Sequence, residues 1–473
     1  MNETRLEELT VALNRELYAE EAGLPVDQAA LESVSAALAA EYRAALDHRP
    51  PGDALRDMAL DGVAEAESAA WDVRLAQAMD EAIVCREVMA GGEPASWRNW
   101  KRAEQELGEV GRRRLFDAFV GKSEQLLPVI EGRYAERRAL YAAHDSTPLH
   151  VFAGREGLTA EGVRDLTHQL GDACRAAFGS ALDGLAQAVF GSGPAGAAEL
   201  RALYLNRMYE PLAPLFADRD ALADVRVALG RMDFSIAHIG VDFEDRPKKY
   251  PGAFCFPVQV PGDVRVSVRP ASPHHLADML YHEFGHALHF AGIDAALPFA
   301  DRYWIHSGTH ETFSTLFETL LGLPEFLSES LGFSDRAAQK LVEFDRFRFL
   351  LTAAWGAAGG AAACDAWLEH LPWAEVERRF AAYALRFTGV EFPPGYARLH
   401  AFVNEVEPYP LGYLIAAARV AHWLEELQAE FGARWWAEAG AGEAIRRRIR
   451  LGGAVRFPAQ WLDIGAFVER WAV

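Results

Sequence analysis

Apolar residues recur every three or four positions through most of this chain, and that period commits it to a mainly helical fold. LEELTVAL and LFDAFVGKSEQLLPVI show the pattern on a background of Ala, Leu, Glu and Arg, the residues that lose least on entering a helix. Residues 1–225 read this way almost throughout, with breaks at Pro50-Pro51-Gly52, at Gly91-Gly92 and between Gly191 and Gly196. Between about 230 and 270 the texture changes. DFSIAHIGVDF, GAFCFPVQV and VRVSVRP are rich in Val, Ile and Phe and are cut by Gly and Pro, which predicts a small sheet, the only one in the protein. Helical texture resumes at Ser272. The expectation is a helical N-terminal lobe over 1–225 and a catalytic helical lobe over 226–473 that carries the sheet. No fixed-period repeat argues for a solenoid.

Composition narrows the function classes. An apolar fraction of 51 % in 473 residues supports a large core. The formal charge of −21, from 47 basic and 68 acidic residues, disfavours nucleic acid and anionic lipid as partners. The basic run Arg446-Arg447-Arg448 with Arg450 reads as a helix face. Cys85, Cys174, Cys255 and Cys364 are scattered, with no C-x-x-C pair, which fits reduced thiols better than a disulfide framework. The charged, amphipathic N-terminus has no apolar signal-peptide region, and no run of eighteen apolar residues occurs. A cytoplasmic protein without a membrane partner is expected; oligomeric state is not readable.

Chemistry concentrates in YHEFGHALHF, residues 281–290. Ser272 at the cap, Pro273 at the first helical position and Gly292 at the end predict a helix over roughly 273–291. Leu276, Leu280, Phe284, Leu288 and Ala291 form its apolar stripe; His282, His286 and His289 form a second stripe, rotated away. Histidines four apart lie one above the other, so His282 and His286 can share one tetrahedral zinc ion. Glu283, displaced by about 100° from His282, is placed to reach a water on that metal rather than to bind the metal itself. A metzincin would need Gly and His where this chain has His289 and Gly292. The third ligand is therefore sought on a following helix, in IHSGTHETFSTLFETLLG. Glu311 is the choice, with Glu318 seven residues on as the partner that fixes a ligand imidazole's tautomer. His306 and His310 are rivals for the third position.

These residues carry a resemblance. KKYPGAFCFPVQVPGDVRVSVRP followed by DMLYHEFGHALH resembles the thimet oligopeptidase and oligoendopeptidase F family of zinc metallopeptidases. That family carries H-E-F-G-H, often with a further His at the place of His289, and takes its third ligand from a Glu about 25 residues beyond the second His. Glu311, Ser314 and Glu318 match its E-x-x-S-x-x-x-E pattern. The likeness covers roughly 245–320, with a weaker echo over 395–465 in YPLGYL and LGGAVRFP. It implies a two-lobed helical peptidase with a deep central channel that admits short unfolded peptides, and one zinc ion per chain. It implies that VRVSVRP lines up the substrate backbone and that Gly285 lets the metal helix pass close to neighbouring backbone. It also implies a His and Tyr residues late in the chain that stabilise the oxyanion; Tyr413 is the best match, with Tyr409 and His400 as further candidates.

The expected chemistry is peptide-bond hydrolysis with His282, His286 and Glu311 as ligands, Glu283 as general base, and Glu318 and His289 behind the ligands. One rival is a metallocarboxypeptidase on a similar scaffold, which needs a cation for the substrate's terminal carboxylate; Arg246, Arg269 and Arg302 are available. The other is a non-catalytic peptide-binding protein stabilised by zinc, which would show a fourth protein ligand such as His310.

Overall fold

Side-chain caps set where the first helices start. The Asn2 side chain accepts the Thr4 N–H at 3.0 Å and opens α1 (Glu3–Glu21). Asp27 does the same for the Ala30 N–H at 3.0 Å and opens α2 (Gln28–His48). Leu6 and Leu9 of α1 and Leu38, Tyr42 and Ala45 of α2 close a shared core with Phe299 and Ala300. The computed structural model describes residues 2–472, apart from 51, 192, 194, 251, 270, 271, 401–407 and the side chain of Lys101. Parts of the expected breaks at Pro50-Pro51-Gly52 and between Gly191 and Gly196, and the last residue of VRVSVRP, therefore lie outside the described residues.

Among the described residues helices dominate, and the strands form two small sheets rather than the one expected. The additional sheet is an antiparallel hairpin of β1 (Val84–Ala90) and β2 (Glu93–Ser96). Gly91 and Gly92, read above as a break, are its turn. Both have positive φ, 60° and 85°, as a two-residue hairpin loop with the right twist requires. Cys85, Val88 and Ala90 bury one part of β1, whose ladder is irregular between Cys85 and Met89. Further on, α3 (Ala160–Phe190) runs from the Thr159 cap to Gly191, which is left-handed at φ 71°.

The expected sheet is present. β3 (Gly240–Asp242), β4 (Ala253–Gln259) and β5 (Asp263–Val268) lie in the order β3-β5-β4, with β3 parallel and β4 antiparallel to β5. This corrects the role foreseen for VRVSVRP. β5 is the central strand, flanked on both sides, so its backbone groups are used within the sheet; among the described residues no strand pairs with the other edge of β4. Pro257 fits there because an edge strand tolerates a residue without an N–H. After the sheet come α4 (Pro273–Gly292) and α5 (Ser307–Glu318). Ser272 stands at the N-cap of α4, but its side chain caps nothing; Pro273 occupies the first turn. Gly292 ends α4 without a left-handed φ, and a Cβ there would meet Ile449 at 2.5 Å, so packing explains this glycine.

The chain divides into two compact units, but not at the expected boundary between 225 and 226. One unit comprises Met1–Ala66, Leu212–Arg346 and Ile415–Ala466; the other comprises Glu67–Pro211, Phe347–Leu414 and Phe467–Val473. Packing overrides sequence order: Tyr18 of α1 sets its ring edge-on against Phe254 and Phe256 of β4, and this carries the N-terminal helices into the unit of the sheet and α4. In the first unit Phe313, Trp423, Phe457 and Trp461 pack behind α5. In the second, Trp355, Phe380, Phe392 and Tyr396 form an aromatic core.

Candidate metal centre

Two helices build the site because one glycine lets them touch. A Cβ on Gly285 would lie 2.5 Å from the Ser314 Cα, closer than any side chain tolerates, and 3.0 Å from the Phe313 carbonyl oxygen. With hydrogen there instead, α4 passes against α5, and His282 and His286 face Glu311.

The three ligand atoms form a small triangle. His282 Nε2 and His286 Nε2 are 3.1 Å apart. Glu311 Oε2 lies 3.3 Å from the first and 3.5 Å from the second. A tetrahedral zinc ion with ligands at about 2.0–2.2 Å would hold them roughly 3.3 Å apart, so the residues fit the ion the sequence implied. The donor set, two imidazoles and a carboxylate, is that of a catalytic zinc site with one position left over. Among the described residues this is the one group of three or more such side chains placed to hold a metal.

Each ligand has a neighbour that orients it. Glu318 Oε2 lies 3.1 Å from His282 Nδ1 and accepts its proton, which leaves Nε2 free to face the triangle. The Ser314 hydroxyl donates to Glu311 Oε2 at 3.1 Å and to the Glu311 carbonyl at 3.0 Å. His286 Nδ1 is buried and has no hydrogen-bond partner among the described residues. The charges follow. Burial opposes a charged His282, but Glu318 and Glu311 outweigh it and hold the ring well above the usual imidazole range. Burial likewise opposes a charged Glu311, but His286 and His282 outweigh it and hold its carboxyl well below the usual range.

Glu283 is buried on the same helix, beside β4. Burial raises its pKa; the two histidines and a hydrogen bond from the Cys255 N–H offset part of that rise. His289 sits outside this network. It is fully buried, stacks on Phe313 with ring centres 4.1 Å apart, and neither ring nitrogen has a hydrogen-bond partner among the described residues. His310 lies beside the site, its ring centre 4.9 Å from that of His286 and its Nδ1 3.6 Å from Glu311 Oε1; burial pushes it down to about 3. It is not in the triangle, and neither is His306, whose Nε2 faces Asp61 at 3.9 Å.

The late residues belong to the second unit. His400 packs among Trp355, Phe380 and Tyr396 and is pushed down to about 3, first by burial and then by the charge of Arg201. Tyr409 is half-exposed, with its ring centre 6.1 Å from that of the partly buried Tyr413. The three arginines considered for a carboxylate terminus are engaged: Arg246 by Asp242 and Glu244, Arg269 by Asp245 and Arg302 by Glu7. Two contributions were not foreseen. The Cys255 N–H has no sequence signature, because backbone carries none. Ser314, three residues after Glu311 on one helix, was visible as a pattern without its role.

No protein-family model matches the chain. No curated protein matches it either. Among solved structures, the M32 carboxypeptidase from Deinococcus radiodurans R1 matches with a TM-score of 0.59 and 15 % identity, over 100 % of this chain and 98 % of that one. What the two share is a mainly helical fold, and it spans both chains from end to end.

Proposed function

We propose that the protein is a zinc-dependent peptidase acting on short unfolded peptides. The observation that carries this reading is the triangle of His282, His286 and Glu311 with the carboxylate of Glu283 on the same helix. When bound, zinc supplies an electrophile for the scissile carbonyl and lowers the pKa of a water. The chain's own groups do the rest. His282 and His286 would hold the ion through Nε2 and Glu311 through Oε2. Glu318 keeps the His282 proton on Nδ1, and Ser314 keeps the Glu311 carboxylate turned inward. Glu283 takes the proton from the attacking water and returns it to the leaving amine; burial poises its carboxyl above the ordinary range for that task. The open edge of β4, beside Glu283, receives the substrate backbone. Tyr413 and Tyr409 are the proposed oxyanion donors on the family resemblance alone; the aromatic surroundings of His400 favour a packing role.

The resemblance of H-E-F-G-H and E-x-x-S-x-x-x-E supports internal cleavage, as in an oligoendopeptidase. A second reading, a carboxypeptidase, is favoured by the end-to-end fold likeness to the Deinococcus enzyme. The zinc-stabilised binding protein is disfavoured, because three protein ligands leave a position open. The four cysteines are all free, which supports a reducing, cytoplasmic setting. A quenched fluorescent peptide, with its C-terminus free or amidated, tests the proposal. Hydrolysis of both that a chelator abolishes is the expected result. Loss on amidation alone selects the carboxypeptidase, and hydrolysis that survives complete metal removal overturns both.

A further inference from the structure

The open edge of β4 is short, and the structure names what ends it. Antiparallel pairing makes alternate residues direct their backbone groups toward and away from the neighbour. The Arg269 N–H donates to the Gly252 carbonyl at 2.8 Å, so position 252 faces β5. The register Ala253↔Val268 through Pro257↔Val264 carries that alternation along the strand: 254 and 256 also face β5, while 253, 255 and 257 face the open edge. Two observations agree. Pro257, which has no N–H, stands at an outward position, and the Cys255 N–H reaches Glu283 rather than β5.

The outward groups are not equivalent. No strand pairs with this edge among the described residues, so the backbone groups of Ala253 and the carbonyl of Cys255 face it unpaired by any strand, while the Cys255 N–H is held by Glu283. At 257 the ladder stops twice over. The proline lacks the donor, and its carbonyl is taken by the Asn14 side chain of α1, whose Nδ2 donates to it at 3.0 Å. The ladder becomes irregular between Pro257 and Gln259, which turns the strand away. Asn14 is held at this place by α1, which is tied down at both ends: Glu3 accepts the Phe299 N–H at 3.1 Å, and the Tyr250 N–H donates to the Glu21 carbonyl at 2.8 Å.

We infer that Asn14 and Pro257 close the substrate-binding edge, so that β4 reads peptide backbone over at most three consecutive residues, those spanning Ala253 to Cys255, and that Asn14 is a specificity-determining residue for peptide length. This rests on the peptidase reading above. A substrate strand that grows toward the β4–β5 turn meets a proline with an occupied carbonyl and gains nothing from a further residue.

The test is kcat/KM for a ladder of peptides extended one residue at a time on either side of the scissile bond, for the wild type, Asn14→Ala and Asn14→Asp. The alanine removes the donor that occupies the Pro257 carbonyl; the aspartate cannot donate to it and serves if the alanine variant folds poorly. In the wild type, kcat/KM should rise with length on one side and then level off. In the variants the rise should continue one step further, by roughly 3- to 10-fold, the worth of one added hydrogen bond. An Asn14 that only ties α1 to the sheet would lower all lengths by one common factor; an unchanged length profile in either folded variant overturns the inference while leaving the peptidase intact. Absence of wild-type hydrolysis at every length overturns the peptidase reading, and this inference with it.

Discussion

At the scale of the residue, the proposed function gives each group in the centre one task, and its removal its own signature. Glu283→Gln should keep the zinc and the fold and lose roughly 10²–10⁴-fold in kcat, because only the proton transfer is removed; metal content and circular dichroism beside the rate check this. Glu318→Ala should act on the metal instead. It frees the His282 tautomer and should weaken zinc roughly 10–100-fold, measured by competition with a chromophoric chelator. Zinc also competes with the proton that Glu318 and Glu311 hold on His282, so apparent affinity should rise with pH by up to about tenfold per unit while that proton is displaced. His400 provides the opposite case, a histidine kept neutral. Its folded pKa, pushed down to about 3, lies below the unfolded value, so the unfolded chain binds the extra proton between those values. Stability should fall as pH drops below about 6.5, by up to roughly 1.4 kcal/mol per pH unit from this one group. Thermal unfolding of His400→Phe against wild type should show a shallower acid limb; identical limbs would mean that the ring is charged in the folded protein.

At the scale of the element, the site is a crossing of two helices and an edge strand. Gly285 sets the crossing, with backbone of α5 where its Cβ would be. Gly285→Ala should cost roughly 1–3 kcal/mol of stability and should loosen zinc as well, since α5 carries Glu311. Equal stability and zinc affinity in that variant would show that the helices have room to part. This level was partly legible in the amino-acid order. H-E-x-x-H spacing is a statement about helix periodicity, so His282, His286 and their helix could be read without a neighbour in view. Glu311 could be chosen because a carboxylate on the next helix was required, and Glu318 because it shares a face with it. The β1–β2 hairpin was missed because two glycines mark a helix break and a hairpin turn equally well; the positive φ of both, which separates the two, is not written in composition. The central position of β5 was missed for a related reason. Strand order is set by long-range pairing, and VRVSVRP has the same alternation whether it lies at an edge or in the middle.

At the scale of the whole molecule, the fold class was legible and the division of the chain was not. Helical periodicity persists in both halves, so a mainly α protein was the direct reading. The units, however, are each assembled from three separated stretches: α1 and α2, with Leu55, Met58, Ala59 and Val63 of the helix after them, pack with Phe299, and α1 packs with the sheet. The end-to-end likeness to a carboxypeptidase is one of fold, at 15 % identity, and is likewise not readable from the amino-acid order. At this scale the proposed function rests on one ion held by His282, His286 and Glu311. The most direct test is the zinc stoichiometry of the purified wild-type chain, Glu283→Gln and Glu311→Ala after equilibration with a slight excess of zinc and removal of the free ion. One zinc per chain in the first two and loss of tight zinc in the third is the predicted result. A wild type that retains no zinc, or an alanine variant that holds it as tightly, would contradict the assignment of His282, His286 and Glu311 as its ligands.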